Sequence, residues 1–195
     1  LFISYSGNTE ETLSGVSDAK KNNLDWIVIS SGRKLIDIAQ EEGKEYIKIP
    51  SGLQPRAAFG YLTLAISRIL DIIEGSDYVS QLNEASSYLD KLTEEAEGSD
   101  INKLSLDICE SINKKTVIIY SGTNMSKVVS SRWKTQINEN SKSKAFVGYL
   151  PEVHHNEILS WDADKDGSKK NYIVILIRDK NEHVQISKRF EFTKE

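Results

Sequence analysis

The stretch LFISYSGNTEETL, residues 1–13, joins an apolar run to an acidic, helix-forming run through a polar junction. Ser4, Ser6 and Thr9 place three hydroxyls around Gly7 at this junction. The first N–H groups of a helix have no partner inside the helix, and the helix dipole adds partial positive charge there. Hydroxyls and a glycine at such a point predict an anion site, with phosphate as the favoured occupant. The alternative is that Ser6 or Thr9 only caps the helix.

The composition excludes several classes of function. The chain has 195 residues, of which 38% are hydrophobic and 28% are charged, as is typical of a globular protein. A net charge of −4 without a basic stripe argues against a nucleic-acid partner, and no apolar run is long enough to span a membrane. The single cysteine, Cys109, lies in an apolar helical pattern and is predicted to be a buried thiol in a reducing, cytoplasmic compartment.

Apolar, β-rich runs alternate with helical patterns along the first part of the chain. This alternation predicts a parallel sheet flanked by helices. The predicted strands cover residues 1–5, 25–30 and 45–49, and the predicted helices cover residues 9–22 and 33–43.

A block of helices is predicted to follow. Apolar residues recur at helical spacing from Phe59 to Ile73 and from Val79 to Leu92, and a third helix is predicted at 101–113. The predicted division of the chain is therefore a first α/β subdomain at 1–75, connecting helices at 76–113 and a second α/β subdomain at 114–195.

The second subdomain opens with a similar junction. In KKTVIIYSGTN, residues 114–124, a predicted strand at 116–120 runs into another hydroxyl and glycine segment, about 117 residues after the first. This recurrence suggests two related halves. Further strands are predicted at 144–149 and 172–178, and residues 183–188 are predicted to pair with the last strand, through either a hairpin or a longer crossover.

Two later segments carry candidate acid–base residues. Glu139 lies at the end of a predicted helix, and His154 and His155 lie in a predicted loop after a strand. Parallel α/β sheets place their ligands at the loops that follow the carboxyl ends of strands. The alternatives are a solvated carboxylate for Glu139 and loop histidines without a chemical role.

Metal sites are disfavoured by the spacing of the candidate ligands. His154, His155 and Glu157 lack the i, i+4 helical spacing of a zincin and a cysteine companion. The segment DADKDG, residues 162–167, matches half of a calcium loop, but Ile173 occupies the position that requires a glutamate. We therefore predict no metal, and we predict that DADKDG is an exposed polar turn.

Four segments of the chain match the motifs of a known family in order. They are SYSGNTEETL from residue 4, LQPRAAFGYL at 53–62, RWKTQINENSK at 132–142 and LPEVHHNEILSW at 150–161. Together they resemble the bifunctional phosphoglucose/phosphomannose isomerases of the sugar isomerase (SIS) domain superfamily. The resemblance implies an α/β fold of two SIS-type subdomains, each a parallel sheet flanked by helices. It also implies that N- and C-terminal parts of the protein lie outside this chain, since that family's active site draws on residues before the SYSGNT strand and on a C-terminal helix.

The resemblance also implies where the substrate would bind. The SYSGNT hydroxyls hold the sugar phosphate in that family, which here implies Ser4, Ser6 and Thr9. The arginine of LQPR, Arg56 here, lies beside the reacting carbons. The family forms homodimers with active sites near the subunit interface, so a second copy of the chain is the expected partner.

The resemblance further assigns the proton-transfer residues. Glu139, in the NENSK segment, corresponds to the base that moves the proton. His155, immediately before Asn-Glu, corresponds to the residue that opens the ring and that usually reaches the partner subunit's site. His154 precedes it, and the sequence leaves open which of the two histidines has this role.

The implied activity is aldose–ketose isomerisation of glucose 6-phosphate, with mannose 6-phosphate as a second candidate, to fructose 6-phosphate through a cis-enediol. One carboxylate can take a proton from one carbon and return it to the next, and an arginine can stabilise the enediolate, so neither a metal nor a redox cofactor is required. The alternatives are a non-catalytic SIS domain that senses a sugar phosphate and an isomerase of another phosphosugar.

Overall fold

The computed structural model describes residues 1–96, 100–163 and 165–194. It divides into two compact units, Leu1–Glu95 and Ala96–Glu195. The division lies inside the block predicted as connecting helices, 76–113.

The first unit contains a parallel sheet in the order β1-β2-β3. The strands alternate with helices because each parallel pair needs a crossover connection. The elements are β1 (Phe2–Ser4), α1 (Glu10–Lys21), β2 (Val28–Ser30), α2 (Lys34–Glu41), β3 (Tyr46–Lys48), a 3₁₀ turn (Pro55–Ala57), α3 (Phe59–Glu74) and α4 (Tyr78–Ala96).

Both faces of this sheet are buried by apolar side chains. Val28 and Ile29 are neighbours on β2 and therefore point to opposite faces of the sheet. Val28 packs in a cluster with Val16 of α1 and Leu35 of α2, whereas Ile29 packs with Ile69 of α3. The predicted α/β architecture is confirmed in this unit.

The second unit contains a parallel sheet in the order β5-β4-β6. Its central strand, β4, is buried over most of its length. The elements are α5 (Asp100–Ile112), β4 (Thr116–Ser121), α6 (Met125–Gln136), a π-helical turn (Ile137–Ser141), β5 (Ala145–Tyr149), α7 (Val153–Asn156), α8 (Ser160–Ala163), α9 (Lys165–Asn171), β6 (Tyr172–Ile177) and α10 (Val184–Lys194).

The prediction that residues 183–188 form a strand is wrong. Residues 184–188 belong to α10, His183 precedes that helix, and β6 pairs in parallel with β4 instead. Ile186 and Phe190, one helical turn apart, are 8% and 0% exposed and pack against the sheet. The short run that the sequence offers as a strand is therefore the buried side of a helix.

Two smaller predictions are also wrong. Cys109 is exposed rather than buried, as are Leu104 and Leu106 of the same helix. The DADKDG segment is not a simple turn, because Asp162 lies in α8 and Asp166 in α9; Asp164 lies outside the described residues. None of the helices in the described part of the chain combines the length and apolarity needed to cross a lipid bilayer.

Candidate active site

The hydroxyls of the SYSGNT segment converge at the carboxyl end of β1. Ser4 Oγ lies 2.7 Å from Thr9 Oγ1 and 3.4 Å from Ser6 Oγ, and it accepts a hydrogen bond from the Gly7 N–H at 3.1 Å. Ser4 is buried, whereas Ser6 and Thr9 are exposed. The hydroxyl cluster Ser4–Ser6–Thr9 thus has a buried base and an open side, as a site for a small anion requires.

The capping alternative does not account for Thr9. Thr9 occupies the N-cap position of α1, but its side chain makes no capping hydrogen bond. Its hydroxyl is directed to Ser4 instead, while Ser6 Oγ accepts from the Asn8 N–H at 3.3 Å within the loop. The threonine hydroxyl is therefore part of the cluster and does not satisfy the helix terminus.

Gly7 brings the loops after β1 and β2 into backbone contact. It has φ +70°, and a Cβ built at this position would lie 1.9 Å from the Gly32 carbonyl oxygen. The Gly7 carbonyl accepts from the Leu35 N–H at 3.0 Å, and Ser30 Oγ donates to the Gly32 carbonyl at 3.1 Å. Glycine is required at position 7 both by its backbone conformation and by this close approach.

Tyr5 links the hydroxyl cluster to the loop that leads to Arg56. Its hydroxyl donates to the Pro50 carbonyl at 3.2 Å and accepts from the Leu53 N–H at 2.8 Å. Arg56 follows in the 3₁₀ turn Pro55–Ala57 and is partly buried. Tyr5 was not among the residues singled out from the sequence, although its place between Ser4 and Ser6 is a signal that could have indicated it.

Glu139 lies in a π-helical turn that follows α6. Such turns are rare and occur frequently at functional sites. The turn is held to β5 by Asn138, whose Oδ1 accepts from the Ala145 N–H at 2.8 Å and whose Nδ2 donates to the Ala145 carbonyl at 3.4 Å. Glu139 itself is exposed. Asn138, which holds the turn that carries Glu139, was not among the residues singled out from the sequence.

The two adjacent histidines of α7 have different environments. His154 Nε2 lies 2.9 Å from Thr193 Oγ1, and His154 Nδ1 lies 3.3 Å from Arg189 Nη1. Partial burial lowers the pKa of His154, and its electrostatic interactions with Arg189 and His155 lower it further. His155 is exposed. His155 is therefore the more exposed of the two histidines.

Glu139 and His155 lie toward opposite ends of strand β5 in the second sheet. The π-helical turn precedes β5 and contacts Ala145, at the amino end of that strand. α7 follows β5, and the Leu150 N–H donates to the Ser121 carbonyl at the carboxyl end of β4. The four steps along β5 from Ala145 to Tyr149 span about 13 Å at 3.3 Å per residue. The second unit by itself therefore does not bring these two residues together.

The second hydroxyl and glycine junction differs from the first in its contacts. Ser121 is fully buried and its Oγ lies 2.8 Å from Ser130 Oγ, while Ser126 Oγ donates to the Thr123 carbonyl at 2.9 Å. These hydroxyls satisfy groups inside the unit. The sequence pattern is thus repeated, but the open hydroxyl cluster is not.

Glu157, a metal-ligand candidate in the sequence, belongs to a hydrogen-bond network inside the second unit. Tyr120 donates its hydroxyl hydrogen to Glu157 Oε1 and accepts from Trp161 Nε1–H at 2.8 Å. Burial and the Glu157 carboxylate raise the pKa of Tyr120. The network fixes the segment after α7 to the central strand.

Replacing Tyr120 by phenylalanine should destabilise the protein by about 1–3 kcal/mol, because Glu157 and Trp161 then lose their shared partner. The measurement is the free energy of unfolding from urea denaturation. Tyr172→Phe is the matched control, since the Tyr172 ring packs edge-on against Trp161 and would remain. Equal stability of the Tyr120 and Tyr172 variants would contradict a role for the hydroxyl network.

Comparisons with known proteins identify relatives of this chain. Residues 101–195 match the model of the bacterial phospho-glucose isomerase C-terminal SIS domain. A bifunctional phosphoglucose/phosphomannose isomerase of Aquifex aeolicus is 36% identical over 192 residues, covering 98% of this chain and 56% of the relative. A D-glucosamine-6-phosphate 4-epimerase of Sulfolobus acidocaldarius is 37% identical over 157 residues, covering 80% of this chain and 48% of the relative.

A solved structure shares the fold. A crystal structure from Bacillus subtilis, described as that of a candidate phosphosugar isomerase, matches 90% of this chain and 60% of its own length with a TM-score of 0.55 and 17% identity. At this identity the match shows the fold alone.

The parallel sheets, the junction after β1 and the matched domain model together define a protein of the sugar isomerase (SIS) domain class. The chain spans about half the length of the relatives it matches. It belongs to the family of the bifunctional phosphoglucose/phosphomannose isomerases.

Proposed function

We propose that this chain is part of an aldose–ketose isomerase that interconverts glucose 6-phosphate and mannose 6-phosphate with fructose 6-phosphate. The observation that carries the proposal is the open hydroxyl cluster Ser4–Ser6–Thr9 at the end of β1. Hydroxyls on a loop that enters a helix hold a phosphate through donated hydrogen bonds without adding a competing charge. Membership of the isomerase family makes a sugar phosphate the natural ligand.

The reaction assigns one task to each remaining candidate residue. Glu139 removes the proton from C2 of the aldose and returns it to C1, and His155 moves the proton that opens the sugar ring. Arg56 supplies a permanent positive charge beside the enediolate. These steps need no cofactor or metal beyond the side chains themselves.

The separation of Glu139 and His155 supports a site made by two copies of the chain. Ring opening and proton transfer act on neighbouring atoms of one sugar, and residues at opposite ends of one strand do not both reach them. In a two-fold dimer, Glu139 of one copy and His155 of the other can complete each site, and the two sites are equivalent. We therefore place the active site at the interface of a homodimer.

Hybrid dimers test this arrangement directly. Glu139→Gln and His155→Ala chains should each be nearly inactive as homodimers. When mixed and allowed to exchange, half of the dimers are hybrid and each hybrid has one intact site, so activity should recover to about one quarter of the wild-type value.

Glu139→Gln mixed with the Glu139→Gln/His155→Ala double variant is the control for this experiment, since no intact site can form. No recovery in confirmed hybrid dimers would place both residues in one site within a single copy and would overturn the shared site.

A substrate assay distinguishes the proposed activity from two other functions, epimerisation and sensing of a sugar phosphate. The Sulfolobus relative is a 4-epimerase of D-glucosamine 6-phosphate, and its identity of 37% over 80% of this chain compares with 36% over 98% for the Aquifex isomerase. The full-length protein should therefore be assayed with glucose, mannose and glucosamine 6-phosphates. Formation of fructose 6-phosphate from the first two supports the proposal. Conversion of glucosamine 6-phosphate alone supports epimerisation, and binding without turnover supports a sensor.

A further inference from the structure

His155 is carried by a helix too short to hold its own position. α7 has four residues, and isolated helices of that length are not stable in water. Its position is therefore set by contacts with the rest of the second unit. One such contact is Val153, which is 2% exposed and packs in the apolar cluster that includes Phe190 of α10.

His154 provides a second contact with α10, and its protonation state follows from the partners. Thr193 donates its hydroxyl hydrogen to the Arg189 carbonyl at 2.9 Å, so toward His154 it accepts. His154 Nε2 therefore carries the hydrogen. The Arg189 guanidinium only donates, so His154 Nδ1 is the acceptor. Both contacts require the same neutral tautomer of His154.

The electrostatic surroundings reinforce this state. Arg189 from α10 and His155 from its own helix act electrostatically on His154, and both add to the effect of burial in lowering its pKa. A neutral imidazole with both nitrogens engaged cannot exchange protons with a substrate. His154 is therefore suited to hold a position and not to carry a proton.

We infer that His154 is a positioning residue that joins α7 to α10 and thereby fixes the backbone from which His155 projects toward the substrate. The inference rests on the proposed function, in which His155 opens the sugar ring. α10 can serve as the reference because Ile186 and Phe190 are buried against the sheet. Helix α10, although it lies far from α7 along the chain, thus influences the ring-opening step through the contacts of Thr193 and Arg189 with His154.

The first test removes the acceptor of the Nε2 hydrogen bond. Thr193→Val keeps the shape of the side chain and should lower kcat/KM for cyclic glucose 6-phosphate about 3- to 10-fold, the effect of one orienting hydrogen bond. Thr193→Ser keeps the hydroxyl and should retain the rate. An acyclic aldose phosphate that cannot close into a ring should react equally well with all three proteins. Equal rates of the Val and Ser variants on the cyclic substrate would overturn the inference.

The second test removes the donor to Nδ1 and does not depend on how well Thr193→Val folds. In Arg189→Met, NMR should show His154 titrating at a higher pH, and the loss of rate should again be confined to the cyclic substrate. Lys188→Met is the matched control, because Lys188 is the exposed neighbour on the same helix and its loss removes the same charge. An equal upward shift in both variants would contradict a specific contact.

The variant His155→Ala distinguishes a failure of the proposed ring-opening role of His155 from a failure of the positioning role of His154. If His155→Ala leaves reaction of the cyclic substrate unchanged, the proposed role of His155 is wrong. If His155→Ala slows that reaction but Thr193→Val and Arg189→Met do not, only the positioning role of His154 is wrong.

Discussion

Replacing Glu139 by glutamine is expected to lower kcat at least about 100-fold while KM for the sugar phosphate stays nearly unchanged. Glutamine keeps the shape of the side chain but cannot accept the proton from C2, and a general base contributes at least about 10² to the rate. The exchange of the C2 hydrogen with solvent should be lost together with turnover. Both quantities can be measured in the full-length protein, by a coupled assay and by NMR in deuterated water.

The control for Glu139→Gln is Glu110→Gln, which removes an equivalent charge from an exposed position of α5. It should leave turnover and exchange as they are. If Glu139→Gln still exchanges the C2 hydrogen at the wild-type rate, Glu139 is a surface carboxylate and the proposed mechanism is wrong.

Replacing Gly7 by alanine should destabilise the protein by about 2–5 kcal/mol and weaken binding of the sugar phosphate. A non-glycine residue at positive φ costs about 1–2 kcal/mol, and forcing a methyl group into a packed contact adds about 1–3 kcal/mol. The contact is the Gly32 carbonyl, only 1.9 Å from the added Cβ, and backbone atoms cannot rotate away as a flexible side chain would. The loop that carries Ser6 would have to move.

Gly43→Ala separates these two costs. Gly43 has φ +61°, close to the +70° of Gly7, but a Cβ at Gly43 would meet nothing within 4 Å. It should therefore show only the cost of the backbone conformation, with phosphate binding intact. If Gly7→Ala and Gly43→Ala lowered the free energy of unfolding by similar amounts, the contact with Gly32 would have no energetic consequence.

The elements of the fold were largely predictable because their signals are local. Strands β1 to β3 and helices α1 and α2 lie within a few residues of their predicted bounds, since apolar runs alternate with helical periodicity there. The hydroxyl cluster was also predictable, because a strand, a glycine and a helix start place Ser4, Ser6 and Thr9 close together whatever surrounds them. The chemical roles of the candidate site residues remain predictions.

The error at residues 183–188 shows where local signals end. A short run such as VQIS fits a strand and a buried helix face equally well. The helix is favoured because Ile186 and Phe190, one helical turn apart, both pack against the second sheet.

By itself, the sequence determined the alternating α/β architecture, the polar junction after β1 and the resemblance that assigns Glu139, Arg56 and His155. Only the tertiary structure distinguished His154 from His155, through Thr193 and Arg189, which lie 39 and 35 positions away along the chain. Only the tertiary structure placed Glu139 and His155 toward opposite ends of strand β5. The physical reason is that periodicity and turn chemistry depend on neighbouring residues, whereas hydrogen bonds between distant elements depend on how those elements pack.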